Sequence, residues 1–274
     1  MIGTLFAQEL RTIWKRLAVT IGIVLLVAAV SLVMLALRMP FFGALGLGVA
    51  ILSAVILAPV TLCLLAENYW RTMYGREGYF TMSIPAHGRS VFAAKVLYGL
   101  LVCYVALGIT ALLLLATVTA YAMSVGQQPT DVLHDFLTGL GPAVAWFLVV
   151  SIALQSTYTV IVGAGLMSLG AEARFNHLGF GAPVIGAVIL YFATQLLGLA
   201  AMVLMPLGFT ITGPDAGHFV GQGMLPDLIR ALEHPEAGNQ PTVIGLGVFL
   251  VSIALSILFA WWGACSVERR TSLR

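Results

Sequence analysis

Charge is what this sequence has least of. Lys, Arg, Asp and Glu supply 9% of 274 residues, while apolar side chains supply 60%. A soluble domain carries roughly 25% charged residues. With so little polar surface and a mean hydropathy of +1.02, the chain cannot cover a core in water. The bilayer is its expected solvent. The net charge of +2, from 13 basic and 11 acidic residues, is too small to favour a nucleic-acid partner. Cysteine is also scarce: Cys63, Cys103 and Cys265 form no CxxC pair and fall in or beside apolar runs. They are expected to act as small packing hydrophobes, not as a disulfide framework.

Signatures of catalysis and energy coupling are missing as well. No GxxxxGK[ST] occurs, so no nucleotide is expected through a P-loop. There is no HExxH, and the Gly163–Gly170 stretch makes no GxSxG, which argues against an intramembrane protease. No Asp, Glu, Lys, Arg or His falls in the middle of an apolar run, where an ion-coupled carrier would hold one. His87, His134, His177, His218 and His234 show no i, i+4 pairing. His134-Asp135 with His218 and His234 is the only outer grouping worth naming as metal ligands, and solvated loop histidines are the preferred reading. No catalytic residue, metal or cofactor is expected in this chain.

What the sequence does have is six apolar runs of membrane-spanning length: 17–37, 42–65, 91–123, 143–169, 180–205 and 242–263. They predict an all-α membrane protein with one transmembrane domain over 1–274. The first run, at 21 residues, exceeds the ~7–15 of a cleavable signal, so the N-terminus is expected to be retained. Eleven basic residues fall on the side of the termini, and only Arg38 and Arg230 fall on the other. By the positive-inside rule both termini are expected in the cytoplasm. Six acids, among them Asp131, Asp135, Asp227 and Glu233, make the outer face acidic. The largest segments outside the runs, 66–90 inside and 206–240 outside, are too short to bury a core alone, so no ATPase or receptor module is expected in the chain. A short helix is expected near Pro226–Glu233, ending before Pro235.

Within the runs, Gln155, Thr157 and Tyr158 in the fourth and Tyr191 and Gln195 in the fifth are polar groups that avoid lipid. Two readings stay open for them: interhelical hydrogen bonds worth about 0.6 kcal/mol each, or the lining of a substrate path. Residues 1–16 predict an amphipathic helix, with Ile2, Phe6, Leu10, Ile13 and Trp14 on one side and Gln8, Arg11, Thr12 and Lys15 on the other. Such a helix is expected to lie in the inner interface plane.

The inner loop 66–90 is the most specific segment. It predicts helix up to Gly75, with Glu67 and Arg71 at i, i+4 and Tyr69, Trp70, Met73 and Tyr74 close together. Gly75 and Gly78 bracket Arg76-Glu77 as an exposed knuckle, and a fresh helix starts near Ser90. Aromatics, Met and Arg anchor protein interfaces, so a cytoplasmic partner is expected, with an aromatic belt against headgroups as the other reading.

The stretch Tyr74-Gly75-Arg76-Glu77-Gly78-Tyr79-Phe80-Thr81-Met82-Ser83-Ile84-Pro85, followed by Arg89 and Lys95, resembles the ABC-2-type permeases, the membrane subunits of bacterial ATP-binding-cassette exporters. The basic end, Glu268–Arg274, is similar to that family's terminus. The motif covers about a tenth of the chain and the architecture all of it. Phe80 departs from the Leu often found there. The resemblance implies a type V exporter fold, with a coupling helix between spans two and three. It implies that Tyr74, Arg76, Glu77, Tyr79, Phe80 and Arg89 contact a separate P-loop ATPase dimer, which binds ATP and Mg. It also implies a second permease chain, identical or homologous, a bacterial cytoplasmic membrane, and an amphiphilic or hydrophobic cargo such as a drug, an antimicrobial peptide or a lipid. A different class of protein stays open on the residues alone: a non-transporting scaffold or sensor whose inner loop recruits a cytoplasmic protein.

Overall fold

The computed structural model describes residues 2–37, 40–75, 77–83, 87–211, 216–233 and 242–269. A backbone in lipid must satisfy its own hydrogen bonds, so uninterrupted apolar runs fold as helices. The elements in order are α1 (Ile2–Ala36), α2 (Pro40–Met73), α3 (Gly78–Ser83), α4 (Gly88–Val125), α5 (Pro129–Leu140) and α6 (Pro142–Gly170). A 3-10 turn over Ala173–Leu178 leads to α7 (Gly181–Leu204), β1 (Gly208–Thr210), β2 (Phe219–Val220), α8 (Leu225–Glu233), β3 (Val243–Gly245) and α9 (Gly247–Arg269). Six of these, α1, α2, α4, α6, α7 and α9, are long and apolar enough to cross a membrane, which makes this a multi-pass membrane protein by length and composition.

The helices divide into two packed groups. One is α1, α2 and α4, held along its length by Ile13 and Leu17 against Tyr98 and Val102, and further on by Ala28, Ala54 and Leu113. The other is α6, α7 and α9, centred on Val162, Leu169 and Phe259. A cluster of Tyr69, Met73, Val91, Phe92 and Val267, with Leu5 packed on it, joins the groups and brings both ends of the chain to one end of the bundle. At ~1.5 Å per residue, α1, α2 and α4 (35, 34 and 38 residues) exceed a ~30 Å hydrocarbon core by roughly 20 Å.

Three features differ from the expectations above. Residues 2–16 are not a separate interfacial helix, because α1 runs unbroken from Ile2 to Ala36. No Pro or Gly interrupts 4–21, and the stripe divides: Ile13 is 1% exposed and Phe6 packs with it against Tyr98 of α4, while Leu10 and Trp14 stay exposed on the outside of α1. The connection after α4 folds as α5. The left-handed Gly126 (φ 81°) closes α4, with the Gln127 N–H returning to Ala122 O, and Pro129 starts α5 where no intrahelical donor is needed. The outer segment holds the expected short helix as α8, and also a three-stranded antiparallel sheet in the order β2-β1-β3. That sheet presses on the end of α7: a Cβ at Gly245 or Gly247 would collide with the carbonyl oxygen of Met202 or Ala201.

Candidate functional site

At the end of the bundle that carries the termini, α2 stops at Met73. The N–H groups of Tyr74 and Gly75 both return to Trp70 O, and Gly78 N–H bonds Gly75 O, which turns the chain into α3. Two side chains tie α3 back onto α2. Thr81 Oγ1 donates to Thr72 O at 2.7 Å, and Arg71 Nε lies 3.4 Å from Glu77 Oε1. Among the described residues, the exposed rim of this turn holds Glu77 and Tyr79, the latter 58% exposed.

Beneath α3 lies a buried polar chain. Lys95, on the second turn of α4, has a 3% exposed side chain and donates to Glu9 Oε1 of α1 (2.5 Å) and to Thr72 Oγ1 of α2 (2.7 Å). The Thr72 hydroxyl in turn donates to Asn68 O, and Asn68 Nδ2 donates to Glu9 Oε2 at 3.3 Å. Beside it, Ser168 of α6 donates to Ala164 O and so accepts from the Tyr69 hydroxyl at 2.7 Å, while Ser266 of α9 donates to Ser168 O. Exposed pairs frame this layer: Arg16 with Glu67, and Arg89 with Glu268 of α9. One connected set of bonds thus reaches from α3 through Thr72 and Lys95 to α1 and α4. Removing one partner of such a buried pair costs about 3–5 kcal/mol, because the other charge stays buried and unpaired.

The structure distributes the six residues expected to touch a partner. Glu77 and Tyr79 are exposed, and Arg89 is exposed but held by Glu268. Tyr74 is turned inward against Trp70 and Tyr69. Burial pushes its phenol up to about 12, so it stays a neutral hydroxyl at physiological pH. Arg76 and the Phe80 side chain lie outside what is described, as do 84–86.

The five polar residues weighed for a substrate path are not brought to one place. Thr157 shares a 2.6 Å bond with Tyr104 of α4, and Gln155 Oε1 accepts from Ser252 of α9 at 3.4 Å. Tyr158 packs against the Val162–Leu169–Phe259 cluster. Tyr191 and Gln195 bond each other along α7, with Tyr191 58% exposed on the outside of the bundle. None of the five lines the cavity beside the polar layer. That cavity, of about 260 Å³, sits between α2, α4 and α6, with Glu9, Asn68, Lys95 and Tyr98 at its polar end.

Sequence reasoning missed this polar layer. Lys95 was placed at the edge of an apolar run starting at 91, whereas α4 starts at Gly88 and carries Lys95 inward. Glu9 gave a faint signal as the only acid in the first 66 residues. Among the described residues, no group of three or more His, Cys, Asp or Glu is placed to hold a metal ion. At the opposite end of the bundle, Asp227 of α8 accepts from the Thr242 hydroxyl (2.8 Å) and N–H (2.9 Å). Burial works to raise its carboxyl, but these bonds and Arg230 outweigh it and hold it below the usual carboxylate range.

Comparison with protein-family models, with curated proteins and with solved structures returns no match.

Proposed function

We propose that this chain is the membrane-spanning permease subunit of an ATP-driven exporter of the ABC-2 type, with both termini in the cytoplasm and α3 as its coupling helix. The cargo class is amphiphilic or hydrophobic: a drug, an antimicrobial peptide or a lipid. ATP and Mg belong to a separate P-loop ATPase dimer seated on the α2–α3 turn, and a second permease chain completes the transporter. The observation that carries this reading is the bonded route from α3 to three long helices. Thr81 fixes α3 to Thr72, Thr72 holds Lys95, and Lys95 holds Glu9. A load applied at Glu77 and Tyr79 therefore reaches α1, α2 and α4 together. A soft loop would absorb it.

In this reading, closure of the ATPase dimer pushes α3, and the two bundles rock between inward- and outward-facing states. The chain's contribution is mechanical, and the free energy enters through the partner.

The test is site-specific photo-crosslinking in native membranes, with a photoreactive phenylalanine analogue replacing Tyr79 and, as a control, Phe136 of α5 at the opposite end. The proposal expects Tyr79 to capture a P-loop ATPase and Phe136 not to. Capture of a protein without a nucleotide-binding fold at Tyr79 supports the scaffold reading and overturns this one.

A further inference from the structure

The cavity between α2, α4 and α6 holds chemistry that the coupling argument does not use. Its walls are apolar, formed by residues such as Leu62, Val96, Val160, Ala164 and Met167, and its polar end is set by α1, α2 and α4. At that end Glu9 and Lys95 neutralise one another, so a charged head gains no net attraction. Two neutral polar atoms there have no hydrogen-bond partner among the described residues and are shielded from solvent: Asn68 Oδ1 and Tyr98 Oη. The Asn68 amide cannot turn to satisfy its oxygen, because that would aim an acceptor at the Glu9 carboxylate. One atom lacks a donor, and the other lacks an acceptor for its proton. A hydroxyl or primary amide supplies both. The cavity opens on the flank of the bundle, where Cys63 and Thr159 are exposed within the apolar stretches of α2 and α6.

We propose that this cavity is a binding site for a neutral, single-headed amphiphile that enters from the membrane, its hydroxyl or amide at the Asn68–Tyr98 end and its chain along α6. On the scale of an apolar cavity of ~150 Å³ that takes benzene, a volume of about 260 Å³ accommodates a chain of about ten heavy atoms. This site lies within one chain and does not rest on the export reading.

The experiment uses the full chain in phosphatidylcholine nanodiscs, a decanol carrying a diazirine near its chain end, and peptide mapping of the photolabelled positions. Label is expected to concentrate in 62–69 and 159–167. Decanol should compete it away at about one twenty-fifth the concentration needed with decane, decanoate or decyltrimethylammonium, the size of two hydrogen bonds. Tyr98→Phe should raise the half-competing concentration of decanol about fivefold. Gly163 lines the cavity, and a Cβ there meets nothing within 4 Å, so Gly163→Leu fills the space without a backbone clash. That variant should lose label in both segments while keeping the background label on the lipid-exposed face of α7. Label spread evenly over the outer helices, equal competition by decane, stronger competition by either charged probe, an unchanged Tyr98→Phe midpoint, or full labelling of Gly163→Leu would each overturn the proposal.

Discussion

Removing the charge of Lys95 should destabilise the bundle more than removing both members of its pair. Lys95→Met leaves Glu9 anionic at 15% exposure, with only the 3.3 Å bond from Asn68 to stabilise it. Breaking a buried pair from one side costs about 3–5 kcal/mol, and the residual exposure of Glu9 places this variant at about 3. Glu9→Gln leaves the ammonium more deeply buried, at 3% exposure, with the Thr72 hydroxyl and the Tyr69 ring 5.8 Å away, so its cost should match or exceed that value. In Glu9→Gln/Lys95→Met no charge is stranded. Its cost falls to about 1 kcal/mol, the loss of the hydrogen bonds alone. A double-mutant cycle measured by denaturant unfolding in mixed micelles reads the coupling directly, as about 5 kcal/mol or more between the two sites. Additive costs, or a Lys95→Met variant within about 0.5 kcal/mol of the parent, would refute the claim that this pair locks α1 to α4.

Three further outcomes follow from local geometry. Asp227 has its carboxyl held low by Thr242, so the bond from α8 to β3 contributes stability above the unfolded value near ~3.9 and loses it as pH falls through the folded value. Hydrogen exchange at the Thr242 amide should be flat from about pH 7 to 5 after correction for intrinsic rate and lose protection only at lower pH, with Asp227→Ala, which removes the acceptor, unprotected throughout. Gly170→Ala places a Cβ 2.5 Å from the rigid Pro183 ring and should lower stability by about 1–3 kcal/mol in thermal unfolding, whereas Gly163→Ala, in open space, should not. Tyr104→Phe with Thr157→Val removes two α4–α6 bonds, from the Tyr104 hydroxyl to Thr157 and to Ala153 O, and should change stability by no more than about 1 kcal/mol; a larger loss would give these residues a role beyond helix contact.

The six long helices were legible because a backbone in lipid has few alternatives to helix, and apolar length alone marks the segments. Element ends were harder to place. Lys95 marked what looked like the border of an apolar run, yet its partner Glu9 is 86 positions away and offsets its charge, so the helix carries it into the bundle. Pairing at that distance leaves no trace in periodicity. Phe6, Leu10 and Ile13 read as one apolar stripe, but a stripe does not say what covers it: Tyr98 and Val102 of α4 cover Phe6 and Ile13, while Leu10 stays exposed. The turn at Gly75–Gly78 could be read from its glycines. The inward rotation of Tyr74 could not, because it depends on the Tyr69 and Trp70 rings that pack beside it. The polar residues of the fourth and fifth runs left helix contact and a path lining both open, and only helix rotation decides it, sending Thr157 toward α4, Gln155 toward α9 and Tyr191 outward.

The export reading requires that an outside motor dock at the α2–α3 turn. Intact-complex mass spectrometry of the tagged chain, extracted gently from its native membrane, weighs that assembly in one step. Two copies of this chain with two copies of a P-loop ATPase are predicted, with the ATPase lost on Glu77→Arg while the chain stays folded and membrane-inserted. A chain that is found alone, or with a partner that binds no nucleotide, would contradict it.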